Sequence, residues 1–423
     1  MAMFSIVFLL FKIYILTRLS ASCACEDYIY IVNKGLILMS SANSRYVGCL
    51  QLLSLILILS VIFFSVKYFI ANNIFIPGKV KNGSVISISF ADSNIKAVSA
   101  DSASKVMVVA QVHDLSGTAL RNVPVRFSVK SQYGIIVPVC SKTNEFGECL
   151  AYFVPKNCLK SGASQEKASV TASLRENTAS ASIELNIVPA PVVLIHGYQS
   201  NGSVFANMSR FLSSNNIPCI IFEYDSTEGI KKEALRLNSF LLTQKQELLQ
   251  KGLLVNRFDI IAHSLGGVVS RYYSSSDYYS KNNNVRKLIL LGVPNHGSIM
   301  ACFAENYFKD VSIKDLSPQS SIFTKQLPSM INKGLNNKLE VGNIVVENDE
   351  VVSMESSGLE EWGIQSEIFN IGKNSLINNI ISDVGNDSLY QNSNHQAILN
   401  NSAIFDKILA MLHQPLPNPK TLR

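Results

Sequence analysis

Three side chains, Ser264, Asp349 and His395, have the types and the chain order that nucleophilic catalysis needs. A serine hydroxyl is a poor nucleophile at neutral pH, so it requires a base that takes its proton. The base in turn requires an acid that orients it and stabilises its charged form. The sequence therefore predicts attack by Ser264 on a carbonyl carbon, with His395 as the base and Asp349 as the acid.

The residues around Ser264 predict how this side chain is held. Residues 258–262 form an apolar run typical of a short buried strand, and a helix is expected from Gly266 onward. A serine on a sharp strand-to-helix turn needs small residues two positions before and after it, because the turn leaves little room. Ala262 and Gly266 fill those positions, with alanine where glycine is more usual.

The acid is expected directly after a strand, where a carboxylate is exposed at the edge of the sheet. Asp349 follows the predicted strand within residues 342–347 and is the favoured residue. Glu350 and Glu355 are alternatives that the sequence leaves open.

The base is expected downstream of the acid, and the two histidines there are His395 and His413. His395 lies in a predicted loop just before a helix. His413 ends the last predicted helix beside a proline-rich tail and is expected at the surface. We therefore favour His395.

Two backbone N–H groups are needed to stabilise the oxyanion that attack on a carbonyl creates. Leu265, next to the nucleophile, is expected to supply one of them. Tyr198, in the loop after the first strand of this region, is expected to supply the other. His196 and His263 are interpreted as buried residues that brace their turns.

Strands and helices alternate over residues 189–414, which predicts a doubly wound, mostly parallel sheet with helices on both faces. The predicted strands are 191–195, 217–224, 258–262, 287–291, 344–347 and 367–371, and the long helices are 228–252 and 402–412. Residues 299–339 have no strong strand pattern. We predict that they form a lid-like insertion near the site.

Residues 84–188 alternate apolar and polar side chains with a period of two, as in the stretch 123–129, and contain no helical stretch. This pattern predicts an all-β sandwich of about 100 residues. Cys140 and Cys149 flank a turn-like stretch, 144–147. Facing each other across a hairpin, they would form a disulfide in an oxidising compartment. Free buried cysteines fit the sequence equally well.

The amino-terminal part contains a candidate membrane anchor. Residues 46–66 carry no charge and are long enough as a helix to cross a bilayer, so 46–70 is predicted to be a transmembrane helix. Residues 1–45 are predicted to be either a signal-like segment or largely untranslated. In the second case translation would begin at Met39, and only a short tail would precede the anchor. The mass of the native amino terminus tests this hypothesis. Residues 71–83 are a predicted linker and 415–423 a tail.

Composition narrows the function class. The 423 residues carry a modest net charge of +6 without a basic cluster, so nucleic-acid binding has no support. The 8 cysteines include no C-x-x-C pair with a second one downstream, so a zinc site is not expected. No cofactor is predicted.

Five motifs together carry a family resemblance. They are Val193-Leu194-Ile195-His196-Gly197, Ala262-His263-Ser264-Leu265-Gly266-Gly267, Gly292-Val293-Pro294-Asn295-His296-Gly297-Ser298, Asp315-Leu316-Ser317-Pro318-Gln319-Ser320 and Asp349-Glu350-Val351-Val352. This set resembles the lipase and esterase branch of the α/β-hydrolases, near bacterial triacylglycerol lipases and inositol deacylases of the PGAP1 type. The resemblance covers most of residues 190–414 and implies hydrolysis of carboxylic esters. Some relatives bind calcium, but here Asp383 and Asp387 are too few ligands to predict a metal.

Residues 84–188 carry a second, looser resemblance. The stretches 106–112, 123–127 and 143–147, with Gly117 between the first two, resemble bacterial immunoglobulin-like domains of the invasin and intimin type. This resemblance implies a spacer or an adhesive module with a possible cell-surface partner.

The sequence therefore predicts a membrane-anchored serine hydrolase, extracytoplasmic, that cleaves an ester or lipid substrate. Two alternatives stay open: a surface adhesion protein with an inactive hydrolase fold, and an acyltransferase that uses the same three residues. A fluorogenic ester assay separates the first alternative from the prediction, and product analysis with a competing alcohol separates the second.

Overall fold

The computed structural model describes residues 30–32, 35–37, 60, 83–174, 179–371 and 393–422. The chain divides into two compact units, Met1–Pro77 and Gly78–Arg423. In the first unit, strands β1 (Tyr30–Val32) and β2 (Gly35–Ile37) pair antiparallel. Apart from Ser60, the predicted anchor at 46–70 lies outside the described residues. Among the residues that are described, no helix has both the length and the apolar character to cross a bilayer.

Residues 84–188 form two β-sheets around one core. Their strands are β3 (Val85–Phe90), β4 (Ala97–Ser99), β5 (Val106–His113), β6 (Val125–Lys130), β7 (Gly134–Pro138), β8 (Glu148–Pro155), β9 (Glu166–Leu174) and β10 (Ser180–Val188). One sheet has the order β3-β5-β8-β7, and the other contains β4-β10-β9-β6. Alternate residues of β5 and β8 are buried, as the period of two predicts. We call this part the sandwich domain.

The remainder is an α/β domain, and its sheet positions the candidate site. Its strands are β11 (Val192–Ile195), β12 (Cys219–Phe222), β13 (Leu253–Leu254), β14 (Phe258–His263), β15 (Val285–Leu291), β16 (Glu340–Val346) and β17 (Ser366–Phe369). Six of them form a sheet in the order β12-β11-β14-β15-β16-β17, and every neighbouring pair is parallel. The predicted parallel α/β sheet is therefore confirmed.

Helices cover both faces of this sheet. They are α1 (Ala206–Ser214), α2 (Ile230–Gln250), α3 (Leu265–Ser274), α4 (Asp277–Asn282), α5 (Ile299–Ala304), α6 (Val311–Asp315), α7 (Leu327–Ser329), α8 (Met354–Ser357), α9 (Asn394–Ala397) and α10 (Ser402–His413). Apolar residues of α2 and α3 belong to one core cluster, and those of α1 and α10 belong to another. The central strands β14 and β15 are buried along their whole length, because helices exclude water from both sides.

The sandwich domain and the α/β domain are joined by main-chain pairing. Strand β13, which follows α2, pairs with β4 and extends the second sheet of the sandwich. Beside this junction the buried carboxylate of Asp101 accepts hydrogen bonds from the backbone N–H groups of Asn256 and Arg257, both at 3.0 Å. Arg286 forms a buried ion pair with Asp259 and donates to the carbonyl of Ala100. Through these contacts the sandwich domain and the α/β domain pack directly against each other.

Replacing Asp101 with alanine is expected to destabilise both domains together. The change removes the acceptor of the Arg257 N–H and one of the two acceptors of the Asn256 N–H, which also donates to the Ser104 hydroxyl at 2.8 Å. It also removes the acceptor of the Ala103 and Ser104 N–H groups, and we expect a total cost of about 3 kcal/mol in the free energy of unfolding. The single tryptophan, Trp362, lies in the α/β domain, so its fluorescence during urea unfolding reports on that domain. We expect its midpoint to fall although the substitution lies in the sandwich. An unchanged Trp362 midpoint would show that the domains unfold independently. Asp114→Ala is the control, because that half-exposed side chain accepts hydrogen bonds from Ser116 and Thr118 in a loop of the sandwich domain.

Candidate active site

Ser264 lies on a strained turn between β14 and α3. Its φ of 53° and ψ of −126° fall in a region that residues other than glycine seldom adopt. The turn is crowded: a Cβ atom at Gly266 would lie 2.5 Å from the carbonyl oxygen of His196 and 2.7 Å from that of Ile195. A side chain there would push β11 away, so glycine is required two positions after the serine. The turn places Ser264 at the carboxyl end of β14, between this strand and α3.

Asp349 and His395 are in direct contact. The Nδ1 atom of His395 lies 2.7 Å from Oδ2 of Asp349, and both side chains are almost fully buried. The other carboxylate oxygen, Oδ1, accepts the backbone N–H groups of Val351 and Val352 at 2.8 and 2.9 Å. Burial alone would raise the pKa of Asp349, but the imidazole of His395 and these hydrogen bonds lower it below its ordinary value. Asp349 is therefore an ionised partner for His395 at neutral pH.

Ser264 and His395 line one cavity, which Tyr198 also lines. Its remaining walls come from the end of β14, the loops after β11, β15 and β16, the segment that contains α5 and α6, and α9. The lining residues are Gly197, His263, Pro294, Ser298, Met300, Ala301, Ala304, Ile313, Leu316, Val351, Val352 and Gln396. Gly197 lets its loop approach the nucleophile, since a Cβ atom there would lie 2.9 Å from the Cβ of Ser264. The structure thus brings an alcohol and a carboxylate-bound imidazole to the same opening.

Leu265 is the first residue of α3, directly after Ser264. The first N–H groups of a helix have no partner within the helix, and they point toward groups beyond its amino-terminal end. They also lie at the positive end of the helix dipole. The Leu265 N–H therefore lies at the helix end next to Ser264, and its role as an oxyanion donor stays a prediction.

The other candidates for the acid and the base have different positions and contacts. Glu350 accepts a hydrogen bond from the backbone N–H of Asn394 at 3.0 Å, so it anchors the first residue of α9, the helix that contains His395. Glu355 is exposed on α8, and His413 at the end of α10 contacts the carbonyl oxygen of Leu159 in the sandwich domain. Glu355 and His413 do not line the cavity. Asp383 and Asp387 lie outside the described residues, and the described residues contain no cluster that could hold a metal ion.

His196 is fully buried and stacks on Tyr224, with ring centroids 4.4 Å apart. Its Nδ1 atom lies 3.0 Å from the carbonyl oxygen of Gly197. These contacts brace the turn after β11. Burial lowers the pKa of His196 below its ordinary value, so the ring is neutral when the protein is folded at neutral pH.

His263 has a contact that the sequence did not predict. Its Nε2 atom lies 2.9 Å from the carbonyl oxygen of His395, so this nitrogen carries the proton and donates it to the backbone of the candidate base. The two rings are 4.6 Å apart. The bond joins the end of β14, next to Ser264, directly to His395, which lies in the short helix α9 and not in the predicted loop. No pattern in the sequence signals this link, because its two ends are separated by more than a hundred residues.

Burial and, to a smaller extent, the neighbouring His395 together lower the pKa of His263 to about 3. Unfolded histidine takes up a proton below about pH 6.5, whereas the folded His263 does not until about pH 3. Stability from this group is therefore complete above about pH 6.5 and falls, by up to about 1.4 kcal/mol per pH unit, as the pH drops toward 3. We expect His263→Gln, which has an amide donor but no titrating group, to lose less unfolding free energy between about pH 6.5 and about pH 4.5. Parallel urea titrations test this, and identical losses in both proteins would contradict it.

The segment 299–309 lies at the mouth of the cavity and presents apolar side chains on both sides. Met300, Ala301 and Ala304 line the cavity. Phe303 and Tyr307 point away from it and are 62% and 84% exposed. We call residues 299–309 the flap; the broader lid at 299–339 stays a prediction.

The end of the flap is tied to the loop after β11. The hydroxyl of Tyr198 donates to the carboxylate of Asp310, which also caps α6 by accepting the Ile313 N–H at 3.0 Å. The Tyr198 ring packs edge-on against Phe308. The loop that carries a candidate oxyanion donor is therefore in contact with the segment over the cavity.

No protein-family model and no curated protein matches the chain. A lipase of Bacillus licheniformis is similar in structure over 53% of this chain and 92% of its own, at 15% identity and a TM-score of 0.40. A phospholipase of Legionella pneumophila is similar over 54% of this chain and 60% of its own, at 15% identity and a TM-score of 0.38. The D00-D0 domain of intimin covers 27% of this chain and 51% of its own, at 17% identity and a TM-score of 0.19. At such low sequence identities and TM-scores, these similarities do not assign an activity to this chain.

Proposed function

We propose that the chain is a serine hydrolase that cleaves carboxylic esters, a lipase or esterase. One observation carries this proposal: a buried carboxylate–imidazole pair, Asp349 and His395, opens onto the same cavity as a serine on a strained strand-to-helix turn. This is the set of groups that converts a serine hydroxyl into a nucleophile.

The proposed reaction has two halves. The Oγ atom of Ser264 attacks the ester carbonyl carbon while Nε2 of His395 takes the hydroxyl proton, and Asp349 stabilises the resulting imidazolium. The N–H groups of Leu265 and Tyr198 stabilise the oxyanion, and His395 then gives the proton to the leaving alcohol. Water attacks the acyl-enzyme with the same base, which releases the carboxylic acid and restores Ser264.

We further propose that the substrate is lipidic. The cavity wall formed by Met300, Ala301 and Ala304 is apolar, which suits an acyl chain better than a charged group. The outer face of the flap exposes Ile299, Phe303 and Tyr307, which would contact a lipid surface at the mouth of the site. The anchor at 46–70 and an extracytoplasmic catalytic domain belong to this proposal, as does an immunoglobulin-like identity for the sandwich domain.

Replacing Phe303 with serine is expected to separate lipid hydrolysis from ester hydrolysis. Burial of a phenylalanine in a lipid surface contributes about 2 kcal/mol, so hydrolysis of an emulsified long-chain ester should fall roughly 10- to 30-fold. Hydrolysis of a soluble acetate ester should change by less than about 2-fold, since no surface is then bound. Both rates are measured in a chain-length series with and without a detergent interface.

The matched control is Leu115→Ser, which removes an apolar side chain that is 79% exposed but lies in the sandwich domain. It should leave both rates unchanged. If the Phe303 variant hydrolyses the acetate ester and the emulsified ester at equally reduced rates, the proposal of a lipidic substrate loses its support. The proposal of ester hydrolysis would remain.

A further inference from the structure

Cys140 and Cys149 face each other across the hairpin of β7 and β8. These strands pair antiparallel with Pro138 opposite Ala151. Continued toward the turn, this register places residue 140 opposite residue 149. Directly opposed residues of an antiparallel pair have their Cβ atoms about 4.5–5.5 Å apart, close to the spacing that a disulfide spans.

The two sulfur atoms are already in contact. Their Sγ atoms are 2.7 Å apart, closer than two unbonded sulfurs pack and not far from the bond length of about 2.05 Å. The backbone N–H of Leu150 donates to the sulfur of Cys140 at 2.8 Å, which holds that side chain in place. Cys149 is fully buried and Cys140 is half-buried. The pair is therefore held in one arrangement on a rigid sheet.

We infer that Cys140 and Cys149 form a disulfide in the mature protein. The half-buried Cys140 thiolate attacks a disulfide of a thiol–disulfide oxidoreductase and forms a mixed disulfide. The sulfur of Cys149 then displaces the oxidoreductase, whose disulfide is reduced to two thiols. The two cysteines lose two electrons and two protons, which balances the exchange. The inference does not depend on the activity of the α/β domain.

The disulfide has a consequence for where the chain folds. Structural disulfides persist in oxidising compartments and are rare where glutathione keeps thiols reduced. An oxidised Cys140–Cys149 pair would place the sandwich domain outside the cytoplasm. Because the α/β domain is paired with it through β13, that domain would lie on the same side.

Peptide mapping tests the inference directly. Lys142 lies between the two cysteines, so trypsin separates them into peptides 131–142 and 143–156. The full-length protein, isolated from its own cells after acid quenching and alkylation of free thiols, should yield these peptides joined, lighter than their sum by two hydrogen atoms. Reduction should separate them. Cys158, on the next tryptic peptide, should carry the alkyl group and serves as the internal control.

Stability gives a second readout. Cys140→Ser, Cys149→Ser and the double variant should each lower the melting temperature by a similar amount, roughly 3–8 °C. The reductant dithiothreitol should lower the melting temperature of the unsubstituted protein by that amount and leave the variants unchanged. Cys302→Ser, at an exposed position of the flap, should have no effect. Alkylation of both Cys140 and Cys149 in the isolated protein, or a melting temperature insensitive to reductant, would overturn the inference.

Discussion

Replacing Ser264 with alanine is expected to lower kcat for ester hydrolysis by about 10⁴- to 10⁶-fold, the loss seen when a catalytic serine is removed from an otherwise intact site. The hydroxyl is the only group that the substitution removes. Alanine has the same Cβ atom as serine, so the positive φ at position 264 imposes the same strain in both proteins. The fold should therefore survive, and the loss should lie in the chemical step. Initial rates with a soluble ester measure it, with circular dichroism as the check on folding.

The matched control for this experiment is a second serine in the same cavity. Ser298 lines the cavity and donates its hydroxyl to the carbonyl oxygen of Val351 at 3.0 Å. Ser298→Ala should change kcat by less than about 10-fold, because only one neutral hydrogen bond is lost. A larger loss for Ser298 than for Ser264 would move the nucleophile to the loop after β15.

Replacing Asp349 with asparagine is expected to lower kcat by about 10⁴-fold, through the tautomer of His395. The N–H groups of Val351 and Val352 donate to Oδ1 of Asp349, so in the variant this position must be the amide oxygen. The NH₂ group is then forced into the position of Oδ2, where it donates to Nδ1 of His395. A donor at Nδ1 places the imidazole proton on Nε2, and the ring can no longer accept the serine proton. The substitution keeps the shape of the site, so KM should change little.

Glu350→Gln is the control, because the sequence leaves Glu350 open as the acid. Its side chain holds the backbone N–H of Asn394, and a glutamine oxygen can accept the same bond. We expect less than a 10-fold loss in kcat, since one charge-assisted hydrogen bond becomes a neutral one. If the Glu350 variant loses as much activity as the Asp349 variant, the assignment of the acid must be reversed.

Much of the candidate site is visible in the sequence, because each of its parts has a local signal. Small residues on either side of Ser264 predict the turn, and the apolar run before Asp349 predicts the strand that carries it. Ser264 follows β14 and Asp349 follows β16, and the carboxyl ends of parallel strands lie at the same edge of a sheet.

The contacts that support the site have no such signal. The bonds from His263 to the His395 carbonyl and from Asn394 to Glu350 depend on how distant loops fold back. The same holds for the carboxyl-terminal tail, whose backbone contacts the α/β domain: the carbonyl of Pro417 accepts the Val341 N–H at 2.9 Å, and the N–H of Lys420 donates to Trp362. Proline-rich composition predicts the lack of regular structure there but not these contacts.

The junction between the domains was also hidden from the sequence. Leu253 and Leu254 read as part of the connection that follows a long helix, yet as β13 they extend a sheet of the sandwich domain. Two residues carry no usable periodicity, so pattern analysis cannot assign them to a strand. The sandwich domain therefore packs directly against the α/β domain, and its role as a spacer or adhesive module stays a prediction.

The most direct test of the account is to locate the residue that a fluorophosphonate modifies. After reaction of the full-length protein, trypsin should release peptide 258–271, which contains both Ser264 and Ser270, and fragmentation of this peptide in the mass spectrometer separates them. We predict one phosphonyl group per chain, on Ser264, with none on the Ser264→Ala protein. A modified residue elsewhere, or no modification of the folded protein, would contradict the assignment of Ser264 as the nucleophile.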